Sequence, residues 1–247
     1  MSGHSKWATI RHKKGAQDAK RGKIFSKIIK EITIAARLGG GELESNPRLR
    51  TAITKAKGAN MPKDNIDRAI KKGTGELGGA DYVELTYEGY GPGGVAILID
   101  ALTDNKNRTA ADVRSIFSKN GGNLGENGCV SYLFNRRGVI AYETGKYSED
   151  QIMEAALEAG ADDVETEGDT ITVSTAPEDF ETVLDAMTSA GFEHEMAEIS
   201  RIADTTVALD QDGTRKALRL VDLLDDHDDV QEVATNLDIP DDFDPDG

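Results

Sequence analysis

The sequence contains a single cysteine, Cys129, so no disulfide can form within the chain and no cysteine-based metal site is available. It also lacks any run of about 18 apolar residues, the length that a membrane-spanning helix needs. The N-terminus is polar from Ser2 onward, without the apolar segment of a signal peptide. These absences predict a soluble, cytoplasmic protein that does not contact a membrane.

Groups that could carry out catalysis are also scarce. None of the four histidines stands in an evident arrangement of nucleophile and base. His227 lies in an acidic run, residues 225–229, which could touch a hard cation, but a solvated turn is the preferred interpretation because no ligand geometry is implied. Residues 89–94 match G-x-G-x-x-G by letters, but a predicted strand follows them where a dinucleotide site needs a helix, so we predict a hairpin turn. The sequence therefore predicts no enzyme, no cofactor, no metal and no small-molecule substrate.

What the sequence does contain is a strong segregation of charge. Residues 1–80 hold 18 Lys and Arg against 7 Asp and Glu, a net charge of +11. Residues 81–247 hold 11 basic residues against 38 acidic ones, a net charge of −27. Such a division indicates a module that binds polyanions joined to an acidic, solvating one.

The strongest functional signal is the basic arm, residues 1–22, which lacks a clean apolar period and holds the only tryptophan, Trp7. Its cations would neutralise phosphates and release counterions, and Trp7 would either stack on an unpaired base or pack as an anchor. The arm is followed by a predicted helix with one cationic face. The predicted nucleic-acid-binding residues are Lys6, Trp7, Arg11, His12, Lys13, Lys14, Lys20, Arg21, Lys23, Lys27 and Lys30.

Helical periodicity extends over residues 23–38, with isoleucines on one side and lysines on the other. Asn46 and Pro47 are suited to begin a second helix, and Pro62 opens a third. Three short helices also permit a helix-turn-helix interpretation, although many small bundles share this pattern. A glycine-rich linker at residues 73–80 marks the end of this predicted all-α domain, residues 1–80.

After the linker the pattern changes to α+β. Residues 136–204 predict the order β-α-β-β-α-β, which is the ferredoxin-like plan. The flanking segments, 81–135 and 205–247, supply strands and helices that would complete one domain together. The predicted fold class is thus α+β multidomain: an N-terminal helical bundle followed by two α+β domains, the ferredoxin-like one inserted into the other. The strands are expected at 82–88, 95–101, 130–134, 139–142, 164–167, 170–174, 195–202, 205–209 and 230–235, and the helices at 107–120, 148–159, 177–190 and 213–224.

Several motifs together resemble the YebC/PmpR family, most specifically in the first 130 residues. They are Gly3-His4-Ser5-Lys6-Trp7, His12-Lys13-Lys14, residues 17–23 (QDAKRGK), residues 60–66 (NMPKDNI), residues 87–94 (YEGYGPGG) and Asn107-Arg108-Thr109. The resemblance implies a helical N-terminal domain and two α+β domains, one inserted in the other. It further implies a DNA-binding transcriptional regulator, although other members have been linked to translation, including at proline-rich stretches. The Asp-rich C-terminal part departs from the family pattern.

Three functions remain open on the sequence. The first is a DNA-binding regulator of transcription, and the second is a translation factor that binds ribosomal or transfer RNA and helps elongation at difficult, proline-rich sequences. A basic arm with a lone aromatic residue favours RNA slightly, whereas the resemblance favours DNA. The third is a protein-only adaptor whose acidic domains bind basic partners. The acidic domains could also cover the basic region when no partner is present.

Overall fold

Within the part that the structure describes, the N-terminal region is a bundle of three helices. A computed structural model describes residues 21–78, 81–240 and 243, and of Arg21 the backbone alone. The helices are α1 (Arg21–Gly39), α2 (Pro47–Gly58) and α3 (Lys63–Gly73). α1 packs against both of the others, and Ile32, Leu49 and Ile66 are buried in the shared core. No helix in the described ranges has the length and apolar character needed to cross a bilayer.

Asn46 joins the end of α1 to the beginning of α2. Its side-chain oxygen accepts a hydrogen bond from the Leu49 N–H at 3.0 Å, which confirms the predicted N-cap. Its amide nitrogen donates to the carbonyl oxygens of Ala35 at 2.9 Å and Gly40 at 2.8 Å. One buried side chain thus satisfies backbone groups of two consecutive helices.

The first sheet has four strands, and every neighbouring pair is antiparallel. The sheet and its helices comprise β1 (Val83–Tyr90), β2 (Ala96–Thr103), α4 (Lys106–Lys119), β3 (Asn123–Leu124), α7 (Gln211–Asp225) and β9 (Val230–Thr235). The strand order is β3-β1-β2-β9. Both helices cover one face, where Phe117 and Leu220 pack on Ile97 and Ile99. The opposite face of β2 packs on residues near the second sheet, so β2 is buried on both sides, as its continuous apolar run requires.

The second sheet also has four antiparallel strands. Its elements are β4 (Phe134–Glu143), α5 (Glu149–Glu158), β5 (Asp163–Glu167), β6 (Thr170–Thr175), α6 (Phe180–Ser189) and β7 (Met196–Ala203). The strand order is β5-β6-β4-β7, and Tyr142, Ile152, Val173 and Phe180 are buried between the sheet and its two helices. The predicted β-α-β-β-α-β succession is confirmed, and its strand order is that of a ferredoxin-like fold.

The strands of the first sheet come from two separate segments of the chain. Strands β1 to β3 precede the second sheet in sequence, and β9 follows it. Two further short strands, β8 (Val207–Ala208) and β10 (Leu237–Asp238), pair in parallel beside them. An α+β multidomain fold with two antiparallel sheets is therefore established, while the domain limits of 1–80, 81–135 plus 205–247, and 136–204 stay a prediction.

The strand predicted at residues 130–134 is wrong. Ser131–Leu133 forms a 3-10 turn instead, and the strand β4 begins at Phe134. The buried Glu88 carboxylate explains the difference, because it accepts hydrogen bonds from the N–H groups of Gly128, Val130 and Ser131 at 2.7–2.8 Å. Burial alone would raise the pKa of Glu88, but these donors outweigh it and lower the pKa. Amides that bind a carboxylate cannot also pair in a sheet.

The close crossing of α1 and α3 provides a test of the bundle. A Cβ atom at Gly73 would lie 2.3 Å from the Thr33 carbonyl oxygen and 2.7 Å from the Ala36 Cβ, so the helices would have to separate. We expect Gly73→Ala to lower the free energy of unfolding by about 2 kcal/mol, as overpacking does, measured by urea denaturation. The control is Gly58→Ala, at the last position of α2, where a Cβ meets nothing within 4 Å. Equal midpoints for the two variants would contradict this account.

Candidate nucleic-acid interface

The predicted binding residues divide into two groups by position. Lys6, Trp7, Arg11, His12, Lys13, Lys14 and Lys20 lie outside the described residues. Arg21 begins α1, and its side chain is not described. The remaining three, Lys23, Lys27 and Lys30, form what we term the lysine row, on one side of α1.

The lysine row contacts the C-terminal end of α7 and the residues that follow it, 225–229, which we term the acidic turn. The Lys23 ammonium donates to the Asp226 carbonyl oxygen at 3.1 Å. Lys27 donates to the carbonyl oxygen of Asp225 at 2.6 Å and to its carboxylate at 3.0 Å. The negative end of a helix dipole and free terminal carbonyl groups attract cations, so the arrangement is favourable for the C-terminal end of α7.

The third lysine of the row reaches a buried carboxylate. Lys30 donates to the Asp228 carbonyl oxygen at 2.8 Å and to the Asp229 carboxylate at 2.7 Å. The other carboxylate oxygen of Asp229 accepts from Arg108 at 3.0 Å and from the Thr109 hydroxyl at 2.8 Å, and Thr103 also donates to it, at 3.1 Å. Asp229 thereby connects α1, the beginning of α4, the end of β2 and the acidic turn.

These contacts correct the expectation of a solvated acidic turn. Asp229 is only 4% exposed. Burial by itself raises its pKa, but hydrogen bonds from Lys30, Arg108 and Thr109 outweigh burial and hold the pKa of Asp229 well below its usual range. The Nδ1 atom of His227 accepts from the Asp229 N–H at 3.1 Å, and its Nε2 atom lies 3.4 Å from an Asp112 carboxylate oxygen. The turn is thus ordered by cations of the same chain.

Further cations of the bundle pair with the acidic domains. Arg48 contacts Glu84 of β1 at 2.6 Å, in addition to Glu31 of its own bundle. Arg50 contacts Glu181 of α6 at 2.6 Å. Lys55 lies 3.4 Å from a carboxylate oxygen of Glu198 on β7. The opposite charges of the two halves of the chain therefore meet across the interfaces between bundle and sheets.

Four other cations of the bundle remain at the surface. They are exposed, and within the described part of the chain no acidic side chain forms an ion pair with them. They are Lys57, Lys63, Arg68 and Lys71. Sequence reasoning did not single them out, since nothing in their spacing distinguishes a free lysine from a paired one. We term them the free cation set.

An open cleft of about 600 Å³ lies where α1, α4 and the acidic turn meet. Its walls mix both signs of charge: Lys23, Lys30 and Arg108 stand beside Asp112 and the acidic turn. Within the residues described, no group of three or more His, Cys, Asp and Glu side chains could hold a metal ion. The cleft offers no concentrated field of one sign to a ligand.

The remaining motifs have structural roles. Residues 89–94 connect the antiparallel strands β1 and β2, which confirms the predicted hairpin turn. Asn105 caps α4 by accepting a hydrogen bond from the Arg108 N–H at 3.1 Å. Arg137 pairs with Asp162 at 2.9 Å. Cys129 is half-buried, and burial raises the pKa of its thiol.

Comparison with known proteins covers almost the whole chain. Residues 5–76 match the model of the TACO1/YebC protein N-terminal domain, and residues 82–237 match the TACO1/YebC second and third domain. A "Probable transcriptional regulatory protein" of Treponema denticola is 64% identical over 98% of both chains. One of the same name from Treponema pallidum is 60% identical over 97% of this chain and 98% of its own. A crystal structure of a conserved hypothetical protein, Aq1575 from Aquifex aeolicus, is 49% identical with a TM-score of 0.83, over 91% of this chain and 93% of that one.

The buried carboxylate of Asp229 can be tested by Asp229→Asn, which keeps the shape and removes the charge. We expect the free energy of unfolding to fall by about 3 kcal/mol at neutral pH, because Lys30 and Arg108 lose their shared anion. Since the pKa of Asp229 is depressed in the folded state, its stabilisation is present above the ordinary aspartate pKa of about 4 and is lost as the pH falls below it. The difference between the variant and the parent should therefore shrink in acid.

The control is Asp228→Asn, because Asp228 is exposed and contacts Lys30 through its backbone carbonyl, which the substitution retains. Chemical denaturation at several pH values measures all three proteins. A pH-independent difference between Asp229→Asn and the parent would show that the Asp229 charge is not what stabilises the junction.

Proposed function

Because the chain belongs to the TACO1/YebC family, we propose that it regulates gene expression by binding nucleic acid through its basic N-terminal part. The naming of its relatives as transcriptional regulatory proteins supports DNA as the target. In this proposal the protein is a cytoplasmic, non-enzymatic regulator of transcription. The basic arm and the free cation set bind phosphates, while the acidic domains position the bundle.

The observation that carries the proposal is the contrast between the two kinds of cation on the bundle. The lysine row and Arg48, Arg50 and Lys55 have anionic or carbonyl partners within the chain, so their charge is accounted for by the fold. The free cation set has no such partner among the described residues, and exposed unpaired cations attract a polyanion. Lys57 lies one residue before the end of α2 and Lys63 begins α3, so the two helices expose cations on either side of one turn.

The exposed side of α3 argues for contacts with phosphates rather than with base edges. Asp64 and Asp67 are exposed among Lys63, Arg68 and Lys71 on this helix. Carboxylates on a helix within the major groove would face phosphates and acceptor groups on the bases, which is unfavourable unless they bind cytosine amino groups. The helix-turn-helix interpretation therefore receives no support from α3, and binding that depends on backbone charge and shape is favoured.

A second candidate function is an RNA-bound translation factor, which the composition of the basic arm favours. Trp7 lies among Lys6, Arg11 and other cations. An aromatic ring beside a cationic track suits unpaired bases of single-stranded or structured RNA, including the ribosome or transfer RNA. The same free cation set would serve this function.

Replacement of the free cation set by alanine should weaken nucleic-acid binding at low salt and flatten its salt dependence. The slope of log affinity against log salt should fall by about 0.9 for each phosphate that is no longer neutralised on duplex DNA, or by about 0.7 on a single strand. The control removes four exposed cations from the acidic domains: Lys106, Arg114, Lys119 and Arg219. Fluorescence anisotropy of labelled oligonucleotides measures both variants, and an equal weakening in both would refute a specific interface on the bundle.

Ultraviolet crosslinking in cells, with the recovered protein divided between RNase and DNase, tests which nucleic acid is bound. Loss of the crosslinked label with DNase, and fragments that cluster upstream of genes, is the result expected for a transcriptional regulator. Loss with RNase, and fragments of ribosomal or transfer RNA, would assign the protein to translation. Absence of any crosslinked label would favour the protein-only adaptor, for which deletion of residues 1–22 leaves partner binding intact.

A further inference from the structure

We propose that the acidic turn is a built-in competitor of nucleic acid, which occupies the lysine row until phosphates displace it. This inference rests on the proposed function and describes how the binding of nucleic acid is regulated. The sequence continues from the cations Lys20 and Arg21 of the basic arm directly into Lys23, the first member of the row. A nucleic acid that binds the arm therefore comes next to the lysine row, which the acidic turn covers.

The geometry of the row suits a strand of nucleic acid. Its members are spaced four and three residues apart on one helix, so they extend over about 10 Å of the α1 axis. Nucleotides of one strand rise by about 3.4 Å each, so that length corresponds to about three phosphates. Lys23 and Lys27, on one helix face, could thus contact neighbouring phosphates of one strand, with Lys30 the next position along the row.

The acidic turn presents the same kind of acceptor that a phosphate chain would present. The ammonium groups meet carbonyl and carboxylate oxygens at 2.6–3.1 Å. Ammonium groups take oxygen acceptors from any direction, so phosphate oxygens can replace these without a change of geometry.

The contacts become less exposed from Lys23 to Lys30, so phosphates would displace the acidic turn from the Lys23 end first. Lys23 is exposed. The side chains of the Lys27–Asp225 pair are 17% and 44% exposed, and those of the Lys30–Asp229 pair are 13% and 5% exposed. Ion pairs at the surface contribute little and are screened by salt, whereas the buried Lys30–Asp229 pair is costly to break. Phosphates would therefore displace the turn first at Lys23 and Lys27, while Lys30 keeps the bundle attached.

The test compares full-length proteins in which charge is removed at two places. The first variant neutralises the three carboxylates of the acidic turn that are not buried and leaves Asp229 in place: D225N/D226N/D228N. The matched control removes three exposed carboxylates from one face of α5, which pair with no described side chain: D150N/E154Q/E158Q. Both raise the net charge by the same amount, so a general electrostatic attraction to nucleic acid affects them equally.

Binding is measured by fluorescence anisotropy with a labelled single-stranded RNA and a labelled DNA duplex at low salt. We expect the turn variant to bind on the order of tenfold more tightly than the control, since the carboxylate contact of Lys27 is lost and three negative charges beside the lysine row no longer compete with phosphates, while the backbone carbonyl contacts are kept. We also expect a steeper salt dependence, because more phosphates are neutralised. Adding K23A/K27A to the turn variant should abolish the gain. The single variant D225N, which removes one carboxylate contact of Lys27, should show part of the gain and guards against misfolding of the triple variant.

The outcomes separate this inference from the function on which it rests. If none of the proteins binds either probe, the proposed function fails and the inference fails with it. If the parent binds but the turn variant and the control gain equally, the function stands and the competition is refuted. A gain that persists after K23A/K27A would also refute it, because the released lysines would then not be the site that phosphates reach.

Discussion

The shared carboxylate of Asp229 is the interaction on which the arrangement of the molecule depends. It lies at the meeting point of the bundle, the first sheet and the helix that returns to that sheet, and it accepts from Lys30, Arg108, Thr103 and Thr109. An unpaired buried charge is strongly destabilising, so the Asp229 carboxylate requires these donors. Its position directly before β9 also fixes where that strand begins, since the Leu102 N–H donates to the Asp229 carbonyl oxygen at 2.8 Å.

The segregation of charge along the chain affects the ion pairs within the molecule as well as its attraction for a polyanion. Much of the basic excess of the bundle is matched by carboxylates of the sheets, as between Arg48 and Glu84 and between Arg50 and Glu181. A bundle surface on which part of the cations already pair with carboxylates of the same chain differs from a uniformly basic module. Its affinity for a polyanion depends on which cations are released and on the salt concentration, and the internal and external contacts are weakened by salt together.

Sequence patterns predicted most elements because the determinants of those elements are local. The period of Ile28 and Ile32 identified α1, and the side chain of Asn46 identified the start of α2. The site was predicted less well because its determinants are distant in sequence. Lys27 and Asp225 lie 198 positions apart, and Asp229 cannot be told from its neighbours in an acidic run. Likewise, the two-residue strand β3 has no period to detect, and Glu88 redirects residues 130–133 from outside their own segment.

The paired ends of the second sheet determine how its domain can move. Phe134, where the chain enters β4, is the ladder partner of Ala203, where the chain leaves β7. Two hydrogen-bonded strands resist torsion about their common axis more than a single connecting chain does. Two side-chain contacts stabilise this double connection next to the first sheet. They join Arg201 to Asp100 at 2.7 Å and Ser200 to Glu232 at 2.6 Å. The ferredoxin-like unit is therefore joined to the first sheet through two paired strands rather than one flexible link, so that a force on the unit is transmitted to that sheet.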